Sequence, residues 1–372
     1  MPAPHLKSAD PAILQRMGWP APDSGHLDPR WVRLLESHPD SVIARVVEQH
    51  RSGYVVATEP DVTMAVDSFP EWQKPRCPPE DRACVGDWVL LKVLDLHRPQ
   101  IIALLPRHNV VKRGAAGEHF RQQLIAANID VVFVVVGLDL DFNIRRLERY
   151  LTLVHAVDQT VVLFTKADQM LVDRESFEQA KALLDSQSLP WHALNAKDLD
   201  DVGVLNRYLH LGITAVLVGS SGVGKSTLTN ALIGEELMRT NEVRSHDSRG
   251  KHTTTYRHLI PLASGACLID TPGMRELKPV GDEDLSQSFE DIESLAAHCK
   301  FRDCKHHNEP GCKVRAAISE GTLDEARLNN YLKLQGEIAR AQDQLATRLE
   351  QQAAAKVQSK ALNKRLKQKH DR

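Results

Sequence analysis

A glycine-rich stretch, VLVGSSGVGKSTLTNAL at residues 216–232, constrains the fold of this chain more than any other feature. An apolar run ends at Gly219, four residues separate it from Gly224, and Lys225 and Ser226 follow directly. This spacing is typical of a loop that joins a buried strand to a helix and holds phosphate groups. The stretch therefore predicts an α/β domain in which helices cover a parallel sheet.

The backbone of this loop is predicted to wrap the phosphates of a nucleotide. Its three glycines reach backbone angles that other residues avoid, so the amides of residues 220–226 can point inward where the helix begins and anions are stabilised. Lys225 then reaches the β- and γ-phosphates as a catalytic group, and the Ser226 hydroxyl ligates Mg²⁺. The predicted nucleotide-binding residues of the loop are Gly219, Ser220, Ser221, Gly222, Val223, Gly224, Lys225, Ser226 and Thr227.

A second motif, TKAD at residues 165–168, predicts which base is bound. Asp168 can accept hydrogen bonds from N1–H and the exocyclic amine of guanine, a donor pair that adenine lacks on that edge, so it selects GTP over ATP. The stem of Lys166 can pack over the base plane. Thr165 stands where Asn is usual, and the amide of Ala196, in LNAKD, can contact the guanine O6.

The stretch LIDTPGM, residues 268–274, supplies a further set of candidate ligands. Asp270 ends an apolar run and can hold the water shell of Mg²⁺, and the amide of Gly273 can bind the γ-phosphate. Many GTP hydrolases orient the attacking water with a Gln just after this glycine. Here that position is Met274, which cannot orient or deprotonate water, so we predict slow intrinsic hydrolysis.

A threonine-rich stretch, RGKHTTT at residues 249–255, lies between these motifs. Thr254 and Thr255 are the candidates for closing over Mg²⁺ and the γ-phosphate, with Thr254 as the magnesium ligand. An ordinary threonine-rich loop is the alternative interpretation. His252 is the candidate that folds over the γ-phosphate in place of the missing Gln, but a solvent-exposed loop histidine would give the same pattern.

The base motif precedes the phosphate loop, which reverses the usual order in GTP-binding domains. The same sheet can form from a permuted chain because natural termini lie close together on the surface. The chain then leaves the domain directly after residues 270–273. We hypothesise that release of this segment after hydrolysis repositions the C-terminal module.

A compact cysteine–histidine cluster, CKFRDCKHHNEPGC, follows the nucleotide-binding region. Cys299, Cys304, His306 and Cys312 offer three thiolates and one imidazole, the donor set of a closed, structural zinc site. His307 is a possible substitute for His306. We interpret Cys77, Cys84 and Cys267 as non-functional or core residues.

The N-terminal third of the chain has a different pattern. Residues 1–38 are rich in Pro, Gly and polar residues, which predicts a loosely ordered extension with a short helix near 29–37. Five short β-rich runs follow over about 41–108, which predicts a small barrel of the oligonucleotide-binding (OB) type. An SH3-like barrel would give the same pattern.

Composition limits the remaining possibilities. The net charge of the 372-residue chain is only −2, so any nucleic-acid contact must come from local patches. We see no apolar run long enough to span a membrane and no signal peptide, and we expect a cytoplasmic protein. RNA contacts are expected from the barrel, from a tail rich in Lys and Arg, where a merely solvated helix end is the alternative, and from the cationic side chains of the cysteine module. Those side chains are Lys300, Arg302, Lys305, Lys313 and Arg315.

Together, the motifs GSSGVGKSTLTNAL, GKHTTT, DTPGM, the early TKAD and the cysteine cluster resemble the circularly permuted, small-subunit-dependent GTPases of bacteria (RsgA type) over residues 40–345. The resemblance implies binding to the 30S ribosomal subunit and its 16S rRNA, a role in late subunit maturation, and hydrolysis of GTP to GDP stimulated by the subunit. It implies one structural Zn²⁺, Mg²⁺ bound with GTP, and no membrane partner, and we expect a monomer. This chain departs from the family in its longer N-terminal extension and in Lys251, where Arg is frequent.

The predicted fold class is multidomain α/β: an OB-like β-barrel, a circularly permuted P-loop GTPase domain and a small α-helical zinc domain. The predicted boundaries are extension 1–38, barrel 39–110, GTPase domain 111–280, zinc domain 281–350 and basic tail 351–372. Two rival functions remain. A small-molecule kinase would use ATP, and an RNA-binding scaffold would hold GTP without a rise in hydrolysis when 30S subunits are added.

Overall fold

The computed structural model describes residues 10–20, 28–50, 53–74, 77–92, 98–114, 122–234, 257–271 and 289–337, with 339, 340, 343 and 347. The chain divides into two compact units. The first, here called the barrel–sheet unit, comprises Met1–Arg113 and Gln122–Leu277; the second, the cysteine unit, comprises Gly114–Arg121 and Lys278–Arg372.

The N-terminal extension contains two short helices, α1 (Pro11–Gln15) and α2 (Pro29–Ser37), and each begins at a proline that follows an aspartate cap. The helix predicted near 29–37 is therefore confirmed. The expectation of loose order is wrong for residues 10–20 and 28–37, because Met17 and Trp31 are completely buried. The ring of Trp19 packs 4.8 Å from that of Trp31. The segment is ordered because these large apolar side chains pack into the core despite its Pro/Gly-rich composition.

Five strands form the barrel. They are β1 (Val42–His50), β2 (Gly53–Glu59), β3 (Val62–Val66), β4 (Trp88–Lys92) and β5 (Gln100–Leu104). β1, β2 and β3 form an antiparallel meander, and β4 pairs with both β1 and β5. A parallel bridge between Asp67 and Gln100 joins the end of β3 to β5 and closes the ring. This five-stranded closure confirms the OB-like prediction. A separate two-stranded ladder follows, made of β6 (Val110–Gly114) and β7 (Gln122–Ala127).

A mainly parallel sheet forms the rest of the barrel–sheet unit. Its strands are β8 (Val131–Gly137), β9 (Gln159–Thr165), β10 (Trp191–Ala193), β11 (Thr214–Gly219), β12 (His258–Pro261) and β13 (Cys267–Asp270). They lie in the order β10-β9-β8-β11-β13-β12, and only β12 is antiparallel to its neighbour β13. Every residue of β8 is buried, as expected for a central strand covered on both faces.

Helices pack on this sheet. They are α3 (Ile144–Val154), α4 (Arg174–Ser186), α5 (Leu199–Gly203) and α6 (Lys225–Ile233). The side chain of Asn143 accepts the Arg146 amide at 3.0 Å, and that of Asp173 accepts the Ser176 amide at 2.8 Å. These caps satisfy backbone amides that have no partner within the first turns of α3 and α4.

The barrel, the extension and the sheet share one core. Arg45 in β1 is fully buried and donates to the carbonyls of Gly86 and Asn128, each at 3.2 Å, and to that of Met17. One guanidinium therefore joins three separate segments. At the other end of β1, Glu48 pairs with His258 of β12, and the His258 Nδ1 lies 2.9 Å from the Glu48 carboxylate.

The cysteine unit contains the described helices α7 (Glu290–Ala296), α8 (Lys313–Ser319) and α9 (325–337). Beyond α9, the structure describes only residues 339, 340, 343 and 347. The apolar core of the cysteine unit is small. Its fully buried members are Phe289, Ile292, Val314, Leu328 and Leu334. Across the described part of the chain, no helix has the length and apolar character needed to cross a membrane.

Candidate functional site

The phosphate loop lies between β11 and α6, as the spacing predicts. Gly222 and Gly224 have φ values of 82° and 97°, in the left-handed region that favours glycine. The ammonium of Lys225 donates to the carbonyls of Gly219 at 2.9 Å and Ser220 at 2.6 Å. The loop therefore curls around a lysine that is only 6% exposed.

Burial changes the protonation of this lysine. It lowers the pKa of Lys225 to about 8 from its ordinary value of 10.5, and the negative charge of Asp270 opposes the shift. Asp270 is fully buried at the end of β13, the strand beside β11. The next residue, Thr271, donates its hydroxyl to the Leu217 carbonyl at 2.6 Å. Parallel pairing thus brings a carboxylate and the phosphate-loop lysine to the same edge of the sheet.

The TKAD motif is tied directly to the phosphate loop. The hydroxyl of Thr165, which is fully buried, donates to the Val223 carbonyl at 2.5 Å. In sequence this threonine is only a departure from Asn; in the structure it links the base motif to the loop. Lys166, at a φ of 60°, ion-pairs with Asp139 at 2.6 Å. Asp168 is exposed beyond the strand end, open to a ligand.

The LNAKD segment lies next to this motif. The amide of Ala167 donates to the Leu194 carbonyl at 3.4 Å, since β9 and β10 are parallel neighbours. Asn195 donates its amide to the Asp201 carboxylate at 2.8 Å, which holds the turn that presents Ala196. The structure therefore brings TKAD, LNAKD, the phosphate loop and Asp270 to one edge of one sheet.

A polar group on α3 supports the phosphate loop, and the sequence patterns did not identify it. Arg146 donates to Asp141 at 2.6 Å and to the Ser220 hydroxyl at 3.4 Å. The hydroxyl of Tyr150, one helical turn later, lies 3.2 Å from that of Ser220. The only signal in the sequence was an Arg and a Tyr four residues apart, which share one face of a helix.

Several predicted site residues lie outside the described residues. They are Thr254, Thr255, His252 and Gly273, together with Met274 and Lys251.

The four predicted metal ligands converge in the cysteine unit. The ligand atoms of Cys299, Cys304, His306 and Cys312 all lie within 4.8 Å of one another. The Sγ atoms of Cys299 and Cys312 are 3.8 Å apart, and the His306 Nδ1 lies 3.7 Å and 3.5 Å from them. Tetrahedral zinc, with bonds of about 2.3 Å to sulfur and 2.0 Å to nitrogen, requires separations of about 3.8 Å and 3.5 Å. The cluster therefore fits zinc, and His306 rather than His307 belongs to it.

Backbone amides support the thiols. The amide of Lys313 lies 3.4 Å from the Cys299 sulfur, and that of Arg315 lies 3.4 Å from the Cys312 sulfur. Such N–H···S contacts stabilise negative charge on a thiolate ligand. The guanidinium of Arg315 also donates to the His306 carbonyl at 2.7 Å, which holds the turn that carries the imidazole. The remaining three cysteines form no disulfide, and Cys84 and Cys267 are buried within the barrel–sheet unit.

Comparisons with known proteins agree with this geometry. The RsgA GTPase family model matches residues 104–279. A small ribosomal subunit biogenesis GTPase RsgA from Xanthomonas euvesicatoria pv. vesicatoria is 55% identical over 356 residues, which cover 94% of this chain and 95% of that protein. The corresponding protein of Xanthomonas axonopodis pv. citri is 55% identical over 361 residues, 95% and 96% of the two chains.

Two solved structures share the fold. The crystal structure of YjeQ from Thermotoga maritima aligns with a TM-score of 0.55 and 25% identity over 80% of this chain and 98% of that one. The structure of YloQ, described as a circularly permuted GTPase, aligns with a TM-score of 0.55 and 22% identity over 81% and 96%.

Proposed function

The chain belongs to the RsgA family of small ribosomal subunit biogenesis GTPases, and from this premise we propose that it binds the 30S subunit, acts in its late maturation and hydrolyses GTP faster on the subunit. The observation that carries the proposal is the tie between base motif and phosphate loop. The hydrogen bond from Thr165 to the Val223 carbonyl couples a guanine-reading strand end to the loop around Lys225.

Phosphate binding follows from the loop geometry. The amides of residues 220–226 and the ammonium of Lys225 bind the phosphate oxygens, because an anion at a helix start is stabilised by aligned N–H groups and the helix dipole. A phosphate oxygen replaces the Gly219 and Ser220 carbonyls as partner of the ammonium. We propose Ser226, Asp270 and Thr254 as the residues that hold Mg²⁺, which supplies charge neutralisation at the β- and γ-phosphates when bound.

Base selection rests on the exposed Asp168, which accepts the guanine donors, with Lys166 along the base plane and the Ala196 amide at O6. Lys166 has a second role because its ammonium is fixed by Asp139. That ion pair aligns the aliphatic stem before the nucleotide arrives, so less conformational entropy is lost on binding.

Hydrolysis requires a group that orients water, and Met274 cannot be that group. We propose that His252, with Thr254 and Thr255, completes the site when the small subunit docks. GTP hydrolysis is then slow in the isolated protein, because the site is incomplete, and faster on the subunit. The zinc site has no position for water once three sulfurs and one nitrogen bind, so its role is structural.

The setting of this activity follows from the family. Assembly of bacterial small subunits takes place in the cytoplasm, where we propose that the protein acts as a monomer on the 30S subunit and its 16S rRNA, without a membrane partner.

Steady-state GTP hydrolysis with and without purified 30S subunits tests the proposal. We expect turnover to rise by at least about tenfold, a barrier reduction of about 1.4 kcal/mol. The rate with 50S subunits alone is the control, and it should equal the rate of the isolated protein. An unchanged rate with 30S subunits would favour an RNA-binding scaffold with a structural nucleotide.

Base selection has its own test. Asp168→Asn exchanges a carboxylate for an amide that matches the edge of xanthine, so we expect preference to shift from GTP toward XTP. Competition with ATP, GTP and XTP measures it. Equal displacement by ATP and GTP in the wild-type protein would instead favour a small-molecule kinase.

A further inference from the structure

Phe301 is the only large apolar side chain that is exposed in the described part of the cysteine unit, at 42%. Phe289, the other phenylalanine there, is buried in the core with Tyr331. The core of the unit does not include Phe301. The ring of Phe301 therefore lies outside the packed core of this unit, where a partner can reach it.

Backbone hydrogen bonds within the candidate zinc site hold the segment that carries this ring. Phe301 lies between the candidate ligands Cys299 and Cys304, and its carbonyl accepts the Cys304 amide at 3.3 Å. The amide of the preceding residue, Lys300, donates to the Gly311 carbonyl at 3.2 Å. The backbone is therefore fixed on both sides of the phenylalanine, so little loop entropy is lost when the ring meets a partner.

The charges around the ring are mainly positive. The Lys300 ammonium lies 5.6 Å from the ring centroid, and Arg302 is exposed on the other side. The exposed cations of this loop and of the start of α8 are Lys300, Arg302, Lys305 and Lys313. Asp303 is the exposed acid beside them, whereas the Glu309 carboxylate accepts the amides of residues 305, 307 and 308. A flat ring among cations complements a base with its flanking phosphates.

We propose that Phe301 stacks on an unpaired base of the small-subunit RNA, while Lys300 and Arg302 contact the phosphates on either side. The inference rests on the proposed function, and it assigns one RNA contact to one side chain. A single ring fits a single base, and a solitary apolar residue does not supply the continuous area that a protein partner buries. Stacking on a single-stranded base also tolerates any base identity, because every base has a π face.

Binding of the zinc-loaded, full-length protein to 30S subunits tests this contact. Phe301→Leu keeps an apolar side chain but removes the ring, and we expect the dissociation constant to rise about 5- to 100-fold. Phe301→Trp should restore affinity. Leu199→Ala, a change at a 67% exposed residue in the other unit, is the matched control and should leave affinity unchanged.

Three readouts separate this contact from a folding defect. Zinc content should stay at one ion per chain in all variants, and GTP hydrolysis without subunits should equal that of the wild type. Lys300→Gln should weaken binding and reduce the slope of log affinity against log salt by about one unit. Equal affinity of Phe301→Leu and wild type would overturn the inference.

Photocrosslinking identifies the partner of the ring. Benzoylphenylalanine at position 301 should label rRNA within the 30S complex, and labelling only of a ribosomal protein would overturn the assignment to RNA. If the wild-type protein neither binds 30S subunits nor responds to them, the proposed function fails together with this inference. If the wild type responds and Phe301→Leu does not differ from it, only the stacking contact fails.

Discussion

The barrel–sheet unit and the cysteine unit are stabilised by different means. In the first, a single apolar cluster takes in residues of the extension, the barrel and the sheet, among them Leu14, Trp31, Trp88, Val134 and Phe164. In the second, a small apolar core includes Cys312, with Cys299 and Cys304 packed against it. The long unit buries a large apolar core, whereas the short one combines a small core with four residues that fit a zinc site.

The two units also differ in the polar side chains that they bury. In the barrel–sheet unit, Arg45 and Lys225 are buried charges, and each is matched by backbone carbonyls. In the described part of the cysteine unit, the buried polar residues are His306, one of the four candidate metal ligands, and Asn330. A buried charge is tolerated where hydrogen bonds compensate for its lost hydration, as they do for Arg45 and Lys225.

Removal of zinc should have the largest effect and should separate the two units. Zinc binding contributes on the order of 10 kcal/mol to the folding of small metal domains. We expect chelation, or Cys312→Ser, to remove hydrogen-exchange protection from helices α7–α9 while β8, β9 and β11 keep theirs and GTP still binds. Cys77→Ser, at a half-exposed thiol outside the cluster, is the control. Equal loss of protection in both units would contradict the comparison.

Arg45→Met should destabilise the barrel–sheet unit alone. The substitution leaves the carbonyls of Met17, Gly86 and Asn128 without this donor, although it also removes a charge whose pKa is lowered by burial. We expect a loss on the order of 3 kcal/mol in the free energy of unfolding, measured by denaturant titration.

Arg30→Met provides the matched control for this change. Arg30 is 61% exposed and pairs with Asp28 on the surface, so its replacement should leave the unfolding free energy unchanged. Equal effects of the two substitutions would show that the buried guanidinium does not join the segments.

The stability of the barrel–sheet unit should depend on pH through Lys225, which belongs to that unit. Because burial lowers its folded pKa to about 8, the unfolded chain binds the proton more tightly, and folding is penalised below that pH. The penalty is relieved as pH rises from about 8 to the ordinary value of 10.5. We expect Lys225→Met to abolish a gain of about 1–3 kcal/mol over this range in nucleotide-free protein. If the free energy of unfolding depends on pH in the same way in the wild type and the variant, the lowered pKa of Lys225 is refuted.

Thr165→Val should have the smallest effect on stability and a specific effect on binding. Valine has nearly the same shape but cannot donate to the Val223 carbonyl, so the base motif and the phosphate loop lose their hydrogen bond. We expect GTP affinity to fall about 5- to 30-fold, equivalent to about 1–2 kcal/mol. Thr165→Ser keeps the hydroxyl and should bind GTP almost as the wild type does, measured by fluorescence of a labelled nucleotide.

Local patterns predicted the elements that carry the chemistry. The five barrel strands, the strand and helix that flank the phosphate loop, and the cysteine cluster all lie where their periodicity or spacing placed them. The patterns did not predict β12, whose pairing with β1 attaches the barrel to the sheet. They also predicted loose order for an N-terminal segment in which Met17 and Trp31 are buried.

By itself, the sequence determined the phosphate loop, the TKAD motif, their unusual order and the cysteine–histidine cluster, because each depends on a few residues at short, fixed spacing. Only the tertiary structure decided that Arg45 joins three segments, that Thr165 ties two motifs 58 residues apart, and that Arg146 and Tyr150 support Ser220. These contacts depend on which strands become neighbours. The order of the strands depends on how the whole core is buried, which involves residues far apart in the sequence. No local pattern can therefore predict it.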